Sequence, residues 1–349
     1  MSSESKISII IPVYNGENYI KNTVDNILKN SYKNIEIILI NDGSIDKSWE
    51  IIQNIEKNDK RVKAINKPNE GISKTRQVGI ENATGEYICF CDQDDVVPSN
   101  AYEVMLKNMK EKDIDICIGS SKSLLNESLI DNYTIKSNYY LAGDDIDKYI
   151  LTLIKKWLSV SYSCKDDISW SIWNCMYKKR IIDQNNIAFR HFVGYEDDFL
   201  FNLDYIKNCK KIFFIKDVTY IWKINYMSES HTKNKVFIEN YHEKYGKCLE
   251  YIKNEIVKNI HSISKQQIYN LFDRSLIIKT ILNYSKVGNK DSNKDNLNKI
   301  IEIFDDKIFK EKNEFIFIKI NGINNFLLEN GHYKMAYYID KYLYYKLYK

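Results

Sequence analysis

Gly85-Glu86-Tyr87-Ile88-Cys89-Phe90-Cys91-Asp92-Gln93-Asp94-Asp95 is the stretch that decides how the rest of the chain is read. The apolar run Tyr87 to Cys91 has the length and composition of a short buried strand. It ends abruptly in Asp92, Asp94 and Asp95, and no protein core takes up three unpaired carboxylates. A hard divalent cation is the simplest partner, because Mg2+ and Mn2+ take oxygen ligands, typically one or two carboxylates plus substrate phosphates. Ligands of open parallel sheets bind beyond the carboxyl ends of the strands. The stretch therefore points to a metal-assisted phosphate or nucleotide site. The alternative is a solvated acidic turn leading into the next helix.

Upstream, residues 7–13 (ISIIIPV) form a continuous β-branched run, and Tyr14-Asn15-Gly16 follows as turn chemistry. Tyr19, Val24, Ile27 and Leu28 then recur at helical spacing. Residues 35–40 (IEIILI) read as a second strand ending in Asn41-Asp42-Gly43-Ser44, followed by a helix over about 46–57. A short strand over 62–66, a loop through Lys67-Pro68-Asn69-Glu70-Gly71 and a helix over 72–82 complete the approach to the opening stretch. Downstream come a helix over about 99–110 and a strand over 114–118. Alternating strands and helices with short connections imply a parallel sheet with helices on both faces. Right-handed crossovers place the loops after the strands on one edge. Asn15, Asp42 and the Asp92–Asp95 cluster should meet there.

Residues 120–160 are polar and less regular, with a helix around 144–158, and resemble an insertion over the sheet. Residues 170–182 combine aromatics with a basic turn. A second acidic cluster, Glu196-Asp197-Asp198, precedes a helical pattern in Phe199, Leu200, Leu203 and Ile206. Residues 211–222 read as one or two strands. Beyond about residue 233 the pattern is helical, with Ile238, Tyr245, Leu249, Ile252 and Ile256 on one face. The expected division is a catalytic domain over 1–232 and a helical region over 233–349 for acceptor, partner or membrane contact.

Composition bounds the reading. The 349 residues carry 44% hydrophobic and 28% charged side chains, as in globular proteins rather than disordered ones. A net charge of +4 is too mild to imply nucleic acid. Seven scattered cysteines without a CxxC pair suit reduced thiols and a cytoplasmic setting. The first residues lack the apolar core of a signal peptide, and no apolar run reaches the ~18 residues of a membrane span. Peripheral contact with the inner face of the cell membrane and a homo-oligomer stay open.

Five segments in order carry a resemblance: IPVYNGENYI, INDGSIDKS, NEGISKTRQVGIENATGEYICFCDQDD, WNCMYKKR and YEDDFLF. Together they resemble the inverting family 2 glycosyltransferases over about residues 6–200. The resemblance implies a GT-A fold, an α/β architecture with an open, mostly parallel sheet flanked by helices. It also implies a nucleotide-sugar donor and a divalent metal, Mn2+ or Mg2+. By this likeness Pro12, Tyr14 and Asn15 line the nucleotide base and ribose, and Glu17 helps position the nucleotide. Asp42 would accept the uracil N3–H in a charge-assisted hydrogen bond. Arg76 stands where the family has an arginine near the diphosphate, although Thr75 and Gln77 depart from the usual Ala and Asn beside it. Asp92-Gln93-Asp94 matches the DxD motif, with Asp92 and Gln93 on the donor and Asp94 on the metal. Glu196-Asp197 matches the family's acidic pair, and Asp197 takes the position of the general base. Asp198 makes the assignment ambiguous by one residue. Trp173 lies in the segment near the acceptor, where Cys175 replaces a usual Lys. His231 occupies the place of a metal ligand in some relatives, and a surface histidine is the competing reading.

The expected chemistry is transfer of a hexosyl or N-acetylhexosaminyl group from a UDP-sugar to a hydroxyl of a cell-surface glycan or lipid-linked glycan acceptor. A dTDP- or GDP-sugar would alter only the base contact. A non-catalytic glycan-binding or scaffold protein would leave Asp197 far from the Asp92–Asp94 edge. A Tyr- and Lys-rich stretch from His332 onward suits helix packing or a membrane interface.

Overall fold

Continuous apolar runs of Ile, Val and Leu are stable as strands only when both faces are covered, and that is how they fold here. The structure, a computed structural model, describes residues 4–158, 169–194, 196–224, 238–257 and 260, with the single positions 272, 275, 279 and 283. Strand β1 (Ile7–Val13) is buried at every position, as is β2 (Ile35–Asp42). With β3 (Val62–Lys67) and β4 (Tyr87–Phe90) they form a parallel block in the order β3-β2-β1-β4. The connecting helices are α1 (Ile20–Leu28), α2 (Ser48–Asn58) and α3 (Ile72–Asn82). Helix α3 lies close on the sheet because a Cβ at Gly79 would stand 2.3 Å from Cγ2 of Ile10 in β1. That approach fixes the height of Arg76, one turn earlier on the helix.

Helix α4 (Ala101–Glu111) leads to β5 (Ile116–Leu125). Strand β5 is not the neighbour of β4. The four-residue strand β8 (Cys175–Lys178) enters between them, antiparallel to both. Its segment, read from sequence as aromatics with a basic turn, is a strand because all four of its residues are buried between two partners. The long strand β9 (Lys211–Lys223) runs parallel to β5. Short strands β6 (Ser128–Tyr133) and β7 (Tyr139–Ala142) pair with β5 and β9. The polar stretch after residue 120 is thus partly sheet. Its mostly exposed β6 lacks the apolar alternation that signals a strand in sequence. Helices α5 (Asp144–Leu158), α6 (Lys179–Gln184) and α7 (Asp197–Ile206) complete this region. The result is an open, mostly parallel sheet flanked by helices, with nine strands among the described residues.

Two compact units divide the chain. The first contains the whole sheet. The second includes residues 155–158 and 238–257. Within it, α8 (Tyr241–Tyr251) runs into a π-helical turn at Ile252–Ile256 and buries Tyr245, Leu249, Ile252 and Ile256, while Ile238 precedes the helix. Within the same unit Trp157 packs on Tyr245, their rings 5.5 Å apart. Six free cysteines lie among the described residues, five of them buried. No described helix is long and apolar enough to cross a membrane.

Candidate active site

The site is built on the loops at the carboxyl ends of β1, β2, β3 and β4, where the parallel register brings them side by side. The first two loops are laced together by short polar side chains. Asn15, at positive φ, donates its N–H to Ser44 Oγ (3.0 Å) and accepts from Ile45 N–H on Oδ1 (3.0 Å). Gly16 N–H donates to Ser48 Oγ at 2.7 Å. Glu17 N–H donates to Asp46, and Glu17 Oε2 accepts from Lys47 N–H, both at 3.0 Å. The Gln93 amide clasps the backbone of Tyr14, accepting its N–H (3.0 Å) and donating to its carbonyl (3.1 Å). A Cβ at Gly16 would fall 2.4 Å from Gln93 Oε1, so that clasp requires glycine. Pro12 is buried at the penultimate position of β1, opposite Ile40, and Tyr14 is 40% exposed at the rim.

Asp42 is buried at the end of β2, directly across from Lys67 at the end of β3. Its Oδ1 accepts from Lys67 Nζ (2.5 Å) and Glu70 N–H (2.9 Å), and its Oδ2 accepts from Gly71 N–H (2.9 Å). Burial opposes its ionisation, but Lys67 and the backbone donors outweigh it and hold the carboxyl below its ordinary range. Asp42 therefore shapes the loop ahead of α3 as well as standing at the end of β2.

Arg76 is the hub of the site. Its guanidinium is buried, and it reaches acids from two distant parts of the chain. Nη2 donates to Asp92 Oδ1 (3.1 Å), and Nη1 donates to Asp198 Oδ1 (2.6 Å) and Asp197 Oδ2 (3.2 Å). Asp92 and the Asp197–Asp198 pair thus lie within the span of one guanidinium. Ser73, on the same face of α3 at i,i+3 spacing, also donates to Asp197 Oδ2 (3.1 Å). Phe189 lies under the guanidinium, 5.8 Å from ring centroid to Cζ. Burial works against the charge on Arg76, yet Asp198, Asp92 and Asp197 prevail and raise its pKa. Three carboxylates on one cation leave a local excess of negative charge. Burial, reinforced by Asp197 and Asp92, pushes Asp198 up to about 7 although Arg76 pulls it down.

Glu196 plays a different part from its neighbours. It is fully buried. Its Oε1 accepts the N–H groups of Phe192 and Val193, the latter at 2.8 Å, and its Oε2 accepts that of Gly194 at 2.9 Å. Three backbone bonds make it the clamp of the turn that delivers Asp197 to the start of α7.

In the acidic turn itself, Asp92, Gln93 and Asp94 are half-buried and Asp95 is buried. Asp95 Oδ2 accepts from the Tyr220 hydroxyl (2.6 Å) and Oδ1 from Lys223 N–H (2.7 Å). Burial, with Asp92 and Asp94 adding, raises its pKa well above the ordinary carboxylate value. Trp173 stacks on the Tyr220 ring, 4.4 Å between centroids, and so packs within the protein.

The residues present fit a divalent cation in part. Asp92 offers an oxygen, Oδ2, that takes no hydrogen bond among the described residues, and Asp94 stands two residues on with its side chain also half-buried. Among the described residues no group of three or more His, Cys, Asp or Glu side chains is placed to hold a metal ion, and the trio Asp92, Asp197 and Asp198 is gathered on the Arg76 guanidinium instead. His231 lies outside the described residues, as does the Tyr-rich segment from His332. A cavity of about 300 Å³, lined in part by Glu86, Tyr87 and Lys178, sits at the opposite end of β4 and contributes nothing here. Several side chains that build the site escaped the sequence reading. Lys67 could have been found from the strand ends of a parallel sheet, and Ser73 from its helical spacing to Arg76. Nothing local to Tyr220 signals its role.

Comparisons with known proteins bear on the family likeness and the fold. Residues 8–156 match the model of glycosyl transferase family 2. The Bacillus subtilis "Uncharacterized glycosyltransferase EpsJ" is 27% identical over 220 residues, covering 63% of this chain and 61% of EpsJ. The Streptococcus pneumoniae glycosyltransferase GlyA is 32% identical over 228 residues, 64% of this chain and 31% of GlyA. The chain thus spans less than two thirds of these curated relatives. The crystal structure of S. aureus TarS 1-349 in complex with UDP-GlcNAc superposes with a TM-score of 0.60 at 17% identity, covering 86% of this chain and 91% of that one. That likeness establishes the GT-A type fold. Residues 8–156 are thus similar to glycosyl transferase family 2, and the fold is that of a GT-A type glycosyltransferase.

Proposed function

We propose that the protein is an inverting glycosyltransferase that moves a hexosyl or N-acetylhexosaminyl group from a UDP-sugar to a hydroxyl of a cell-surface glycan or lipid-linked glycan, with Asp197 as general base. One observation carries the reading: a single buried guanidinium, Arg76, holds the donor-side acid Asp92 and the remote pair Asp197–Asp198 together. A binding module or scaffold has no need of such convergence. TarS, which shares the fold, holds UDP-GlcNAc, so UDP comes first among the nucleotides to test.

In this reading Tyr14, Asn15 and Glu17 flank the nucleoside, with Pro12 beneath them, and Asp42 stands beside the base. Gln93 fixes Tyr14 in place. Asp94, with Asp92 beside it, would hold Mn2+ or Mg2+, which when bound acts as a Lewis acid toward the negative charge of the departing diphosphate. Asp197 takes the proton of the acceptor hydroxyl as it attacks the anomeric carbon. Attack from the face opposite the nucleotide inverts the configuration. Ser73 and Arg76 orient the Asp197 carboxylate for that step.

A second reading has its own support. Asp198 keeps 23% of its side chain exposed against 10% for Asp197, and its raised pKa of about 7 suits a base working near neutrality. Thermal-shift screening of nucleotide sugars with and without Mn2+ tests the donor; absence of stabilisation by every UDP species sinks that claim. Asp197→Asn is expected to lower transfer by about 100-fold or more while UDP binding persists. Transfer retained by that variant moves the base to Asp198.

A further inference from the structure

The acid of the opening cluster that no role has so far claimed is Asp95. It is 1% exposed, so it reaches neither substrate nor solvent. Its two oxygens are both taken from the far end of β9, by the hydroxyl of Tyr220 and the backbone N–H of Lys223. The same Tyr220 oxygen accepts the backbone N–H of Asp92 at 3.0 Å. One hydroxyl therefore ties both ends of the Asp92–Asp95 turn, accepting at the first residue and donating at the last. The turn is closed on itself by Asp95 N–H to the Asp92 carbonyl at 3.3 Å. Beyond it, Val96 and Ile221 exchange two backbone hydrogen bonds at 3.1 and 2.9 Å. On the other side Thr23 of α1 donates to the Asp95 carbonyl at 3.2 Å.

The pairing of β9 is irregular just before this contact. The β5/β9 pairing shifts register between Gly119, Ser120 and Ser121, immediately before Tyr220. Bulges beside active sites re-aim side chains. The Tyr220 ring is then held by the stacked ring of Trp173. We propose that Tyr220 and Asp95 form a latch that fixes the acidic turn as one rigid unit and so positions Asp92 and Asp94 toward the diphosphate and its cation. Both are positioning residues. The functional half of this inference rests on the UDP-sugar reading above; the structural half does not.

The arrangement separates two contributions to donor binding. The nucleoside side belongs to the loops after β1 and β2, which the latch reaches only indirectly, through the Gln93 clasp on Tyr14. The diphosphate side depends on Asp92 and Asp94, which lie in the turn it ties. Tyr220→Phe keeps the stacked ring and removes only the hydroxyl; Asp95→Asn keeps the shape and replaces one of the two accepting oxygens with a donor NH2. Amide hydrogen exchange is read first, on both variants and the wild-type chain. Faster exchange confined to residues 91–96 is expected. Exchange there equal to wild type, or raised across the whole sheet, overturns the latch. UDP affinity is then measured calorimetrically in MnCl2 and in EDTA. Groups that orient ligands of a metal commonly matter by about tenfold or more in affinity, so each variant should lose about tenfold in MnCl2 and stay within about twofold of wild type in EDTA. Equal losses in both media, or none in either, reject the positioning role. Should wild type take up no UDP in either medium, the donor reading fails by itself, and the exchange data still decide whether the latch holds the turn.

Discussion

At the scale of single residues the decisive balance is between Arg76 and the three carboxylates around it. A buried arginine with one carboxylate would be a near-neutral pair. With Asp92, Asp197 and Asp198 on it, the cluster is short of positive charge, and a proton is retained more readily. Asp198 carries that consequence. Its folded pKa is raised to about 7, above the ordinary carboxylate value, so the folded state binds a proton that the unfolded state has released. The stability this contributes is complete below the ordinary carboxylate range and is lost as pH rises toward about 7. Asp198→Asn removes the titration. The Tm of that variant minus the wild-type Tm should grow more positive between about pH 5 and about pH 8. A difference flat across that range would mean that Asp198 is already ionised at acid pH.

At the scale of elements, the two ends of the parallel strands do different work. The carboxyl ends carry the site, while the amino ends carry a clip centred on Glu36 of β2. Glu36 accepts from Ser8 Oγ of β1 (2.5 Å), from Lys6 Nζ (2.7 Å) and from the N–H groups of Thr84 (2.7 Å) and Gly85 (3.1 Å) just before β4. One carboxylate thus joins three neighbouring strand starts. Burial raises its pKa, but Lys6, Ser8 and Thr84 outweigh that and bring it down to about 2. A depressed carboxylate stabilises the fold above its unfolded value and loses that contribution as pH falls toward about 2. Glu36→Gln should cost about 1–3 kcal/mol at neutral pH, read from urea unfolding, and should flatten the acid limb of the stability curve. UDP affinity should not change, because the clip lies at the opposite sheet edge from Asp42 and Asp92.

At the scale of the whole molecule, the described sheet belongs to one compact unit and α8 to a second. Every side chain of the candidate site that the structure describes belongs to the first. Ligand linkage acts on that unit. A UDP-sugar at about 100 times its Kd adds about 2.7 kcal/mol, and the unfolding transition of the sheet unit should rise by several degrees. A transition that moves only with the second unit would contradict a donor site on the sheet edge. The net charge of +4 gives no reason to expect salt-steered binding to a polyanion.

Much of this architecture is legible without coordinates. The helix and strand periods are local properties, so residues 7–13, 72–82 and 144–158 read correctly to within a residue. Parallel topology then implies that Asn15, Asp42 and Asp92 share an edge. What the chain could not disclose by local reading is the identity of the partners. Arg76 meets Asp198 across 122 positions, and Tyr220 meets Asp95 across 125. Neither pairing leaves a trace in spacing, because α7, which carries Asp198, and β9, which carries Tyr220, reach their places only when the sheet assembles. The same holds within the acid clusters, where neighbours in sequence take unlike roles. Burial sends Asp95 to Tyr220 and Glu196 to three backbone N–H groups. Asp92 and Asp197 are left at the guanidinium between them. The sequence by itself determined the alternating elements of residues 7–118, their order along the chain and the edge on which chemistry can occur, since those follow from periodicity and handedness. Only the tertiary structure decided which carboxylates face the site and which hold it in shape, since a carboxylate's role is set by the donors packed around it.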